Sequence, residues 1–138
     1  QRKGLQVFKD FAHSPSKVKA TVKAVKTQFE DSKVIAVLEL HTFSSLNKSF
    51  LTEYKNAMNG VEIALVYFDP NAVVHKKLED LSTALVFNSF NRADLKVLTT
   101  RNQISESIER EITANTIVLF MSSGNFGGLN LEVFSKQL

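Results

Sequence analysis

The chain has no cysteine and no tryptophan among its 138 residues. Without cysteine there is no disulfide framework and no thiolate-held metal, which fits a reducing, cytoplasmic compartment. No apolar run approaches the roughly 20 residues of a membrane span, and no secretory signal stands at the front. We therefore expect no membrane partner. An excess of charge is also lacking: the net charge is +3, which favours an anionic partner without specifying one. The chain opens on Gln1 rather than methionine. We expect a piece of a longer protein, cut at a domain boundary and carrying part of a site.

What is present is an alternation of two patterns. Near-continuous apolar runs at 33–40 (KVIAVLEL), 62–68 (EIALVYF) and 116–122 (TIVLFMS) read as strands buried on both faces. Shorter runs at 5–8 and 95–99 bring the number to five. Between them lie helical stripes: Val18, Val22, Val25 and Phe29; Phe50, Leu51, Tyr54 and Met58; Val74, Leu78 and Leu81; Ile104, Ile108 and Ile112. Residues 82–90 suit either a helix or a strand, and the closeness of the next strand favours a helix. Residues 130–138 read as a terminal helix. Strand–helix alternation predicts an α/β fold, a Rossmann-like three-layer sandwich with a mostly parallel sheet of five to six strands. The domain spans 1–138, with no internal linker.

Parallel sheets bind ligands beyond the carboxyl ends of their strands, so those loops carry the functional reading. After the first strand comes Asp10-Phe11-Ala12-His13-Ser14-Pro15. Ser14 and Pro15 are helix-start residues. Asp10 suits a pair of ribose hydroxyls and His13 a ligand or a base, or else they cap a turn and face solvent. After the second strand, Glu39, His41, Thr42, Ser44, Ser45 and Asn47 crowd one loop, with hydrogen-bonding capacity for a polar, zwitterionic ligand; Asn47 also suits a helix cap. After the third, Asp69-Pro70-Asn71 is a helix start, and His75 is given no role. After the last, Ser122, Ser123, Gly124, Asn125 and Phe126 open a glycine-rich, donor-rich loop.

Several chemistries lack their residues. There is no GxxxxGK[ST] phosphate loop and no GxGxxG, no GxSxG elbow, and no HExxH or other metal-ligand spacing, so we expect no metal site. No carboxylate pair stands out, and we expect no catalytic residue within this domain. The lysines of the first helix, Lys17, Lys19, Lys23 and Lys26, lack interleaved aromatics, which leaves a solvated face and no nucleic-acid partner.

The motif DFAHSPSKV resembles the D-[YF]-A-H-x-P signature that opens the C-terminal domain of Mur ligases, ATP-dependent enzymes that add amino acids to UDP-N-acetylmuramic acid. The stretches LELHTFSSLNKSFL and MSSGNFGGL fall where that family's other ligand-side loops lie. The last is most similar to the branch that joins recycled L-alanyl-γ-D-glutamyl-meso-diaminopimelate to UDP-N-acetylmuramate, the murein-peptide ligases. The near relative is the UDP-N-acetylmuramate–L-alanine branch. There a second histidine stands where this chain has Ser14, and arginines that hold the substrate carboxylate stand where it has Thr42 and Ser45.

The resemblance implies a division of labour. An N-terminal domain would hold the UDP sugar, and a central domain the phosphate loop, Mg2+ and a carbamylated lysine. This chain would be the closing lid. Asp10 would meet the ATP ribose and His13 the adenine or the acceptor. His41, Ser44, Ser45, Asn47, Ser122, Ser123, Gly124, Asn125 and Phe126 would receive the incoming amino acid or tripeptide. Arg2 is a candidate for the family's ATP-contacting linker arginine. The reaction would be carboxylate phosphorylation followed by amine attack, and the isolated domain would be inactive. Orientation of this kind supplies about 7–11 kcal/mol of barrier lowering. A non-catalytic peptide- or nucleotide-binding module is the alternative.

Overall fold

The computed structural model describes residues 5–138. Five strands form one sheet: β1 (Gln6–Asp10), β2 (Lys33–Leu40), β3 (Ile63–Phe68), β4 (Lys96–Leu98) and β5 (Thr116–Met121), in the order β1-β5-β2-β3-β4. All four pairings are parallel. The helices are α1 (Pro15–Gln28), α2 (Lys48–Leu51), α3 (Pro70–His75), α4 (Thr83–Ser89), α5 (Arg101–Glu111) and α6 (Leu131–Gln137). No helix among the described residues is long and apolar enough to cross a membrane.

Strand alternation divides the core in two. Val34, Ala36, Leu38 and Leu40 of β2 and Ile117, Leu119 and Met121 of β5 pack with Val18 and Val22 of α1, Val73 of α3 and Val86 of α4. The intervening Ile35, Val37, Val118 and Phe120 face Ile104 and Ile108 of α5 and Phe134 of α6. Helices thus cover both faces, as expected of strands apolar on both sides, and the three-layer α/β architecture holds.

Two helical stripes are corrected. The segment from Phe50 to Met58 is not one helix. After α2 it tightens into a 3-10 turn at Thr52–Tyr54, and Asn56 takes a left-handed φ of 66°. Leu51, Tyr54 and Met58 still reach the core. Further on, α3 ends at His75, and Lys77 is left-handed at φ 56°. Its inward residue is Val73, while Val74, assigned to the stripe, is exposed. The first strand also runs two residues beyond its apolar run, ending on Asp10.

Candidate functional site

Register explains what meets at the carboxyl edge. Leu38 pairs with Met121, so Glu39 and Ser122 come next to each other and point to the α5–α6 face. Ser122 then joins three strands. Its amide donates to the Asp10 carbonyl at 3.1 Å. Its hydroxyl donates to Glu39 Oε1 at 2.6 Å, and accepts from the Gly124 amide at 2.7 Å. Glu39 Oε1 also accepts from the Phe126 amide at 3.0 Å. One carboxylate oxygen therefore pins both ends of the loop after β5. A methyl group on Gly124 would lie 2.8 Å from Glu39 Oε1 and 2.9 Å from His41 Cδ2, so glycine lets this loop press against both side chains. Phe126, Gly127 and Gly128 follow with φ of 53°, 67° and 86°. At Gly127 a methyl would run into the Tyr67 hydroxyl, so glycine is required there by φ and by space.

The loop after β1 is half turn chemistry and half open. Asp10 Oδ1 accepts from the Ala12 amide at 2.8 Å, and the residue is exposed. His13 Nδ1 donates to the Phe11 carbonyl at 2.9 Å. Phe11, 70% exposed, meets the His13 ring edge-on at 5.7 Å. Ser14 occupies the cap position of α1, but its side chain makes no cap bond.

In the loop after β2, Ser45 is buried and occupied. Its hydroxyl accepts from the His41 and Thr42 amides, both at 3.0 Å, and donates to the Thr42 carbonyl at 3.2 Å. Asn47 Oδ1 caps α2, accepting from the Ser49 amide at 2.9 Å. His41 is half-buried and Ser44 exposed. In the last loop Asn125 is exposed and Ser123 half-buried, but the Phe126 ring is core, 5.2 Å from Phe120. Thus Ser44 and Asn125 are exposed and His41 and Ser123 half-buried, while Ser45, Ser122 and Phe126 build the loops that carry them. Arg2 lies outside the described residues.

Sequence reasoning counted Glu39 among the polar residues of the loop after β2 without assigning it to the acceptor, and it is the single acid in the apolar run of β2. Tyr67, opposite Glu39 in the β2–β3 register, was also passed over. Burial pushes its phenol up, the Asp69 and Glu39 carboxylates push the same way, and Arg101 pulls against them. No group of three or more side chains suited to a metal exists among the described residues.

Residues 1–124 match the family model described as "Mur ligase, glutamate ligase domain". The chain belongs to the Mur ligase family. A UDP-N-acetylmuramate–L-alanine ligase of Chlorobium luteolum is 35% identical over 144 residues, covering 97% of the Mur ligase chain and 30% of the relative. The chain thus spans under a third of the length of the curated relatives it matches. Among solved structures, a murein peptide ligase of Psychrobacter arcticus superposes with a TM-score of 0.71 at 18% identity, over 96% of this chain and 27% of that one. A domain of a UDP-N-acetylmuramate:L-alanyl-γ-D-glutamyl-meso-diaminopimelate ligase from Haemophilus ducreyi gives 0.63 at 20% identity, over 98% and 93%. At these identities the likeness establishes the Mur ligase C-terminal fold.

Proposed function

We propose that this chain is the acceptor-binding domain of an ATP-dependent ligase that forms an amide between UDP-N-acetylmuramate and an incoming amine, in peptidoglycan synthesis or recycling and in the cytoplasm. The observation that carries the reading is the meeting of the Asp10, Glu39–His41 and Ser122–Phe126 segments at one edge of the sheet, where ligands of parallel sheets bind. Asp10 and His13 fit ATP: a free carboxylate oxygen for the ribose, and a ring nitrogen beside it. The described residues bring no three side chains together that suit Mg2+. Other domains of the same chain would hold the UDP sugar, the metal and the phosphates, and the isolated domain would fold without ligase activity.

The acceptor we favour is the tripeptide L-alanyl-γ-D-glutamyl-meso-diaminopimelate. The loop at 41–47 carries no arginine, and Ser45 is spent on its own backbone, so a short amino acid finds no guanidinium there for its carboxylate. The second reading, L-alanine, is favoured by the curated relatives, which are named UDP-N-acetylmuramate–L-alanine ligases. Phosphate release by the full-length enzyme, given ATP, UDP-N-acetylmuramate and each acceptor separately, decides. Release with the tripeptide alone supports the first reading and release with L-alanine alone the second. Release with neither removes the ligase assignment.

A further inference from the structure

Glu39 is the one buried carboxylate among the described residues, at 6% exposure. Its Oε1 is occupied by Ser122 and Phe126. Among the described residues its Oε2 accepts from no group, and no ion pair includes it. No side-chain oxygen among them is both sealed from solvent and unpartnered, so Oε2 opens to solvent. Arg101 is near enough for its charge to act on Tyr67, the cross-strand neighbour of Glu39, but it forms no ion pair with the carboxylate. A carboxyl group is therefore held at the carboxyl edge of the sheet with one oxygen unpartnered and no cation paired with it among the described residues.

We infer that Glu39 Oε2 binds the ammonium group of the amine acceptor, while Oε1 holds the Ser122–Phe126 loop in place around it. This rests on the proposed function and adds a recognition residue to it. Three kinds of reactant meet in such an amide-forming reaction. ATP and a UDP sugar are polyanions, which a buried carboxylate repels. The amine is cationic at neutral pH, and an ammonium–carboxylate hydrogen bond in a partly desolvated site is among the stronger polar contacts. A metal is a poor occupant, since no second and third acidic or histidine ligand stands beside Glu39. The geometry also couples recognition to order: the same carboxylate that meets the ammonium fixes the loop carrying Ser123 and Asn125.

The test uses the full-length ligase with ATP, UDP-N-acetylmuramate and the acceptor that supports wild-type turnover. Glu39→Gln keeps an acceptor oxygen for the loop and removes the charge. Acceptor KM is expected to rise at least tenfold, with the KM for ATP unchanged. An unchanged acceptor KM, or equal rises in both constants, overturns the inference. Should the variant fail to fold, the wild type answers by itself. An acceptor analogue with hydrogen in place of the amino group is expected to inhibit with at least tenfold weaker affinity than the acceptor binds. Equal affinity overturns the inference. If the wild type turns over neither L-alanine nor the tripeptide, it is the ligase reading that falls, a result distinct from either of these.

Discussion

At the scale of single residues, the site is held by contacts too close to tolerate an added atom. Gly124 is the clearest case. Its methyl derivative would press on a buried carboxylate oxygen and on the His41 ring, both nearer than 3.0 Å, and neither is the free end of a flexible chain. Gly124→Ala is expected to cost about 1–3 kcal/mol, the usual range for overpacking, by forcing the loop off Glu39. Urea unfolding of the domain measures the cost, and a variant as stable as wild type would show that the loop yields freely. Asp10 and Asn47 teach the opposite lesson. Each is engaged in local turn or cap bonding and yet exposed, so local bonding does not bury either side chain. For Ser45 the capping-type role takes all of the hydroxyl.

At the scale of elements, end signals were read in part: Asn47 and Asp69 cap their helices as expected, whereas Ser14 makes no side-chain cap bond. Asn47, Asp69, Ser82, Thr100 and Asn130 all cap the helices they precede. Thr100 forms a reciprocal box: its hydroxyl accepts from the Gln103 amide at 3.2 Å, and Gln103 Oε1 accepts from the Thr100 amide at 3.2 Å. That box starts α5, which covers one face of the sheet through Ile104 and Ile108. Thr100→Ala is expected to destabilise the domain by about 1 kcal/mol, read as a lower urea midpoint with an unchanged slope. Faces were harder because short helices give periodicity little to work with. In α3, six residues long, the choice between Val73 and Val74 depends on the neighbouring α-layer. The Phe50–Met58 stripe points inward although its backbone is a helix turn, a 3-10 turn and a left-handed residue.

At the scale of the whole molecule, a long-range bond ties the core to the loop after β1. Tyr54 is buried, stacks on Phe90 at 5.2 Å, and its hydroxyl donates to the His13 carbonyl. Burial pushes the Tyr54 phenol far above the ordinary tyrosine value, and burial followed by nearby carboxylates raises Tyr67 too. Above the ordinary value of about 10, the unfolded chain loses these protons while the folded chain keeps them. Stability is therefore present in full below that pH and falls as pH rises beyond it. Urea midpoints are expected to stay level from about pH 7 to 9 and drop above about 10, and Tyr54→Phe should flatten the drop. A drop of equal slope in the variant would remove Tyr54 as its cause.

Strand identity, the alternating order of strands and helices, and the three loops at the carboxyl edge of the sheet were all determined by local sequence. Apolar runs, cap residues and glycines act over a few residues and need no partner to be read. The order β1-β5-β2-β3-β4 was decided by the tertiary structure, because inserting β5 between β1 and β2 is a matter of long-range pairing. That insertion sets Ser122 against Asp10 on one side and Glu39 on the other. It turns a lone acid in an apolar strand into the organiser of the site, since a charge buried at residue 39 gains meaning only from what residues 122–126 bring to it.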